Sequence, residues 1–178
     1  ILLGLVGSEM CIRDSYPGAA CDVVSYDYLP LLDEMDYVPV NHYSRGPEIF
    51  GHCQAIARKY NLYDLAVFST TVTETVWNEA EQLWHVKTDR GDDMRARFVI
   101  CANGTLAKPK LSLIDGMNTF KGHAFHSSRW DYEYTGEHLE NLKDKRVGII
   151  GTGASAVQIV PELGKTAKSL TVFQRTPS

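Results

Sequence analysis

Gly151, Gly153 and Ala156 stand at the spacing G-x-G-x-x-A, between a short apolar run, Val147–Ile150, and a segment with apolar residues at helical intervals, Ala154–Val160. Small residues at those three positions suit a strand, a tight turn and a helix that hold a dinucleotide. The first glycine makes the turn and the second lets the backbone approach a pyrophosphate. The third small residue, Ala156, lets helix and strand pack closely. The helix N-terminus then offers free N–H groups and the positive end of its dipole to the phosphates. A second strand is expected at Ser169–Phe173, ending in Gln174-Arg175-Thr176. A site for NAD carries an acidic residue about 20 positions beyond the glycines, yet no carboxylate follows Glu162 in this chain. Arg175 and Thr176 at the strand end suit a ribose 2′-phosphate instead. NADP is therefore favoured over NAD.

Other polar residues lend themselves to less. His123 and His126 lie three apart, but no further His, Cys or carboxylate cluster completes a tetrahedral site, and a metal is rejected. His126 reads from composition as a hydrogen-bonded structural histidine. Arg95 and Arg97 alternate with Met94, Ala96 and Phe98, as on a solvated strand face, and Lys108 and Lys110 read as solvated.

The elements that must position these residues can be placed in outline. Tyr16-Pro17-Gly18 marks a tight turn. Gly46-Pro47 opens a helix with an apolar stripe at Ile49, Phe50, Cys53, Ile56, Ala57 and Tyr60. A strand is expected over Leu65–Glu74, a turn over Asn78–Glu81, a strand over Leu83–Thr88 and a turn over Arg90–Asp93. A third strand, Met94–Cys101, should become fully apolar as it goes inside. Ala102-Asn103-Gly104 would then turn close to a cofactor, and Leu139–Lys145 leads back into the glycine-turn strand.

The 178 residues are 44% hydrophobic and 22% charged with net charge −4, values of a soluble globular chain of one or two domains. Slight acidity gives no support for nucleic acid or an anionic membrane surface as partner. The four cysteines, Cys11, Cys21, Cys53 and Cys101, form no C-x-x-C pair, which fits a reducing, cytoplasmic setting. No apolar run reaches the roughly 18 residues that span a bilayer. Residues 1–15 look foreign to the rest: Met10-Cys11-Ile12-Arg13-Asp14-Ser15 resembles the translation of a transposon end used in sequencing-library preparation, and the segment is expected to belong to no fold.

Taken together, Tyr16–Ser178 resembles the Baeyer–Villiger monooxygenases, class B flavoproteins with two dinucleotide-binding domains. Phe120-x-Gly122-xxx-His126-xxx-Trp130-Asp131 matches the family fingerprint F-x-G-x-x-x-H-x-x-x-W-[P/D] at every fixed position. Tyr16-Pro17-Gly18-xxx-Asp22 matches half of a second fingerprint. Gly151–Ala156 is similar to the family's NADPH glycine motif, and Phe173–Pro177 to its 2′-phosphate segment.

The resemblance implies an α/β, Rossmann-like flavoprotein, incomplete here: a leader at 1–15, part of an FAD domain with a β-meander at 16–118, an interdomain linker at 119–144 and the start of an NADP domain at 145–178. It implies FAD contacts at Asp22, Tyr28 and Val72. NADP contacts are implied at Ala20, Cys21, Asp22, Gly151, Thr152, Gly153, Ala154, Ser155, Ala156, Val157, Gln158, Arg175 and Thr176. Many members carry Arg where Ala20 stands. The fingerprint residues Phe120, Gly122, His126, Trp130 and Asp131 are implied to couple NADPH binding to domain closure. The first FAD glycine motif is expected before Tyr16 and the family's catalytic arginine beyond Ser178, so no catalytic residue is expected within the chain. The implied activity of the longer enzyme is insertion of one atom of O2 into a ketone, with no choice of ketone or oligomeric state. The rival readings are N- or S-oxygenation by a flavin enzyme and, for the chain alone, a non-catalytic NADP-binding module.

Overall fold

The computed structural model describes residues 16–102, 109, 111 and 114–176. Two units of secondary structure meet in it. The first begins with the turn at Tyr16–Ala19, closed by Ala19 N–H donating to the Tyr16 carbonyl at 3.2 Å, with Gly18 at φ +82°. Single helical turns follow, α1 (Ser25–Tyr28) and α2 (Leu32–Met35), and then the 14-residue α3 (Gly46–Lys59) with Pro47 in its first turn. Of the expected stripe on α3, Ile49 and Ala57 are buried, whereas Tyr60 is exposed. Cys21, Leu29 and Ile49 form a small core with Leu32, Tyr37 and Cys53 around it.

Next comes a three-stranded antiparallel meander of β1 (Val72–Asn78), β2 (Leu83–Thr88) and β3 (Asp93–Ala96), in that order. Its turns and middle strand lie where the sequence pattern puts them, but both outer strands differ. Leu65 ends a 3-10 turn, Leu62–Leu65, and the first strand starts only at Val72. Residues 66–71 form no regular strand, although Thr71 O accepts from Asp89 N–H. The third strand stops at Ala96, and Phe98 and Ile100 are 80% and 70% exposed rather than inside. An apolar run becomes a strand only where a neighbour supplies ladder hydrogen bonds and a covering layer. Beyond Ala96 no paired residue of β2 continues alongside.

The second unit is a β-α-β crossover. β4 (Arg146–Ile150) pairs in parallel with β5 (Ser169–Phe173), from Arg146 opposite Ser169 to Ile150 opposite Phe173. The connection is the 13-residue helix α5 (Ala154–Thr166). Its buried residues Ile159 and Leu163 pack with Leu139 and Leu142, and Trp130, Val147, Ile149 and Leu170 surround that core. The strand is half-buried on one face alone: Val147 and Ile149 pack on that core, whereas Ile150 is 61% exposed. α5 also runs through Pro161, whose missing N–H normally breaks a helix. Burial of Ile159 and Leu163 on either side of the proline holds the helix together.

Between the two units the segment 119–144 carries a third single-turn α-helix, α4 (Tyr132–Thr135). Residues 1–15, 103–108, 110, 112–113 and 177–178 lie outside the described residues, and with them the suspected leader, the turn at Asn103-Gly104 and both lysines read as solvated.

Candidate cofactor-binding site

The glycine turn joins the end of β4 to the start of α5. Gly151, at φ +106°, takes a left-handed conformation that disfavours any residue with a Cβ. Its N–H donates to the Phe173 carbonyl at 2.9 Å. This bond ties the first glycine to the end of β5, so Arg175 follows two residues after the strand position fixed against the turn. Gly153 is the N-cap of α5 and brings no side chain to the helix end, where Val157 N–H donating to Gly153 O at 3.0 Å closes the first turn. The N–H groups of Ala154, Ser155 and Ala156 therefore have no intrahelical carbonyl. A Cβ built on Gly151 or Gly153 would meet no atom within 4 Å. Unfilled donors above bare glycine backbone fit a dinucleotide pyrophosphate. Thr152 is half-buried, and Arg175 and Thr176 are exposed at the strand end.

The residues implied to contact cofactor on the other unit are spread over three elements. Ala20 and Cys21 lie in a short extended segment, bridged antiparallel to Arg45; Cys21 is buried and Asp22 exposed. Tyr28 closes α1 and is 46% exposed, and Val72 opens β1 opposite Thr88. The structure brings Ala20 against α5 through Gln158. Gln158 Oε1 accepts from Tyr16 Oη at 2.8 Å and from Ala20 N–H at 3.3 Å, and its Nε2 donates to Ala20 O at 2.8 Å. Gln158, read as an NADP contact, thus has its side-chain amide turned to Ala20 and Tyr16.

The fingerprint residues make local contacts along their own segment, and Trp130 packs on the second core. The Phe120 ring lies over Gly122, where a Cβ would come within 2.4 Å of Phe120 Cζ, so glycine leaves the ring its place. His126 Nδ1 accepts from Ser128 N–H at 3.2 Å and lies 2.9 Å from Ser128 Oγ. An accepting Nδ1 puts the proton of the neutral ring on Nε2. Trp130 Nε1–H donates to the buried Thr135 Oγ1 at 3.1 Å, and its ring meets Phe125 edge-on at 5.1 Å. Asp131 caps α4: its Oδ1 accepts from Tyr134 N–H at 2.9 Å, while Oδ2 lies 2.8 Å from His123 Nε2. The Tyr134 N–H and then His123 hold the Asp131 carboxyl below its ordinary range. His123, noted in the sequence only as half of a rejected metal pair, is thus the partner of a fingerprint residue and stacks on Tyr134 at 3.9 Å. Thr135 had no sequence signal, since its role rests on contacts to Trp130 and to the Asp131 carbonyl, which one-residue chemistry does not announce.

With this geometry in view, the likeness to known proteins is specific. The flavin-binding monooxygenase-like family model matches residues 18–178, and the chain belongs to that family. It is 56% identical over 167 residues to neopentalenolactone D synthase of Streptomyces avermitilis, covering 92% of this chain and 28% of that protein. It is 54% identical over 167 residues to Baeyer-Villiger monooxygenase ATR8 of Stachybotrys chlorohalonatus, covering 92% of this chain and 27% of that one. Among solved structures, a polycyclic ketone monooxygenase from the thermophilic fungus Thermothelomyces thermophila superposes with TM-score 0.83 at 44% identity, over 92% of this chain and 28% of that one. OTEMO in complex with FAD and NADP superposes with TM-score 0.81 at 36% identity, over 92% and 31% of the two chains. The chain thus spans less than a third of the length of these relatives.

Proposed function

We propose that this chain is a cofactor-holding segment of an FAD- and NADPH-dependent monooxygenase that converts a ketone and O2 into an ester or lactone. The observation that carries the reading is the bond from Gly151 N–H to the Phe173 carbonyl. It joins a bare glycine turn with unfilled helix donors to the strand that leads into Arg175 and Thr176, the arrangement needed for a pyrophosphate and a 2′-phosphate on one nucleotide. The ketone follows from the likeness to proteins named Baeyer-Villiger and polycyclic ketone monooxygenases, and from Trp130-Asp131 in the fingerprint.

FAD, when bound, supplies the activation of O2 with electrons taken from NADPH. In this reading Asp22, Tyr28 and Val72 face the flavin nucleotide and Ala20–Asp22 the nicotinamide side. Residues 151–157 hold the pyrophosphate, and Arg175 with Thr176 the 2′-phosphate. Phe120, Gly122, His126, Trp130 and Asp131 form the linker, 119–144, between an FAD-binding part at 16–118 and an NADP-binding part at 145–178. The 178-residue chain by itself binds nucleotide weakly and does not turn over. The test is product analysis of the full-length enzyme with NADPH and, separately, a ketone, an amine and a sulfide. Ester or lactone from the ketone is expected; N-oxide or S-oxide with no product from any ketone would replace this reading by the heteroatom-oxygenating one.

A further inference from the structure

Three hydrogen bonds between the two units converge on the Gln158 side chain, two of them on the backbone of Ala20. On its other edge the Ala20 segment pairs with residues 44–46: Cys21 N–H donates to Ser44 O at 3.0 Å and Gly46 N–H to Ala19 O at 2.9 Å. Successive residues of an extended segment aim their peptide groups to opposite sides, so the Ala20 N–H and C=O are left facing α5. The glutamine amide offers one acceptor and one donor side by side, as a peptide group does. It therefore pairs with Ala20 as a neighbouring strand would. One residue pair away, Gly18 packs so closely that a Cβ there would stand 2.5 Å from the Gln158 carbonyl oxygen. The contact is fixed both by backbone approach and by the amide.

We propose that Gln158 is a positioning residue that locks the Ala20–Asp22 segment to α5, so that the two segments holding opposite ends of NADPH form one body. The proposal rests on the reading above, in which residues 151–157 hold the pyrophosphate and Ala20–Asp22 the nicotinamide side. Gln158 lies one helical turn beyond Ala154, on the helix whose N-terminus faces the phosphates. Its amide carries that placement across to the segment at the other end of the nucleotide. Without the amide, the phosphates still bind but the nicotinamide is no longer held in line.

The experiment uses the full-length enzyme with Gln158→Met, close in length but without hydrogen-bonding groups, with Gln158→Glu, and with Tyr16→Phe. Three quantities are measured: the rate of flavin reduction by NADPH in rapid mixing, the affinity for 2′,5′-ADP, and amide hydrogen exchange at Ala20–Asp22. 2′,5′-ADP carries the phosphates without nicotinamide. Gln158→Met should slow flavin reduction about tenfold, as misplacement of a reacting group does. It should speed Ala20 exchange by about tenfold or more and leave 2′,5′-ADP affinity within about twofold. Gln158→Glu sets a carboxylate oxygen against Ala20 O where the amide donated at 2.8 Å, and should slow flavin reduction and speed Ala20 exchange at least as much as Gln158→Met. Tyr16→Phe removes one bond and keeps the ring in the core, so a smaller change of the same sign is expected even if Gln158→Met folds poorly. An equal loss of 2′,5′-ADP affinity would overturn the proposal and make Gln158 a nucleotide contact; unchanged Ala20 exchange would overturn it too. Failure of the underlying reading is distinct: wild type itself would not bind 2′,5′-ADP, whatever Ala20 exchange showed.

Discussion

Arg175 sits exposed two residues past the β5 position whose carbonyl binds Gly151. A charge-assisted contact to a dianionic phosphate contributes about 1.5–3 kcal/mol, or roughly one to two decades of affinity. Arg175→Ala in the full-length enzyme should raise the Michaelis constant for NADPH about ten- to a hundredfold and leave that for NADH nearly unchanged, with Thr176→Ala doing so more weakly. Steady-state kinetics with both nucleotides checks this, and equal losses would assign Arg175 to the fold instead. A second residue-scale effect concerns Glu48 on α3, which had no place in the sequence reading. Partial burial raises its pKa, but hydrogen bonds from Asn41, the Val40 N–H, Tyr37 and Ser44 together outweigh it and hold the value at about 2, against an ordinary 4.5. A carboxylate with a lowered folded pKa adds stability above its ordinary value and loses it as pH falls toward the folded one. Denaturation midpoints should therefore drop between about pH 5 and pH 2 in the wild type. In Glu48→Ala that contribution should already be missing at neutral pH, with a loss of about 1–3 kcal/mol. A parallel fall of both proteins with acid would contradict it.

Among the elements, the crossover unit was the most legible in sequence. A glycine turn flanked by a short β-branched run and a helical stripe has few alternative folds, and β4, α5 and β5 lie where those patterns put them. The outer meander strands were less so, because apolar runs such as Phe98–Cys101 state that a residue prefers cover without stating which neighbour gives it. The Tyr16-Pro17-Gly18 turn was readable as a turn, but its seat on α5 was not, since Gln158 and Gly18 are 140 positions apart in the chain. That seat makes a sharp prediction. Gly18→Ala must adopt a left-handed φ and set a Cβ 2.5 Å from the Gln158 carbonyl oxygen and 2.9 Å from Glu162 Cγ. The backbone oxygen cannot swing aside as a side-chain tip could. The substitution should cost about 2–4 kcal/mol by chemical denaturation, whereas Gly91→Ala, also at positive φ but facing open space, should cost only about 1–2 kcal/mol. Equal losses at the two sites would mean that the turn does not rest on the helix.

Over the whole molecule, several large apolar residues stand in the open. Ile150 and Phe173, at the ends of the paired strands nearest the glycine turn, are 61% and 56% exposed, and Phe98 and Ile100 more so. Exposed apolar side chains of that kind bind hydrophobic dyes and promote association, so the 178-residue chain alone should enhance anilinonaphthalene sulfonate fluorescence; under the proposed function it should also oxidise no NADPH in a ketone-dependent way. Stoichiometric FAD with ketone-driven turnover by the chain alone would contradict this. Among the described residues no helix is long and apolar enough to cross a membrane. The central claim, that these elements belong to an enzyme placing one oxygen atom from O2 into a ketone, is tested most directly by isotope labelling. The full-length enzyme, given NADPH, a ketone and 18O2, is expected to yield ester or lactone one oxygen heavier than the ketone, with that single added atom carrying the label. Unlabelled product, or NADPH consumed with no oxygenated ketone formed from any substrate offered, would contradict it.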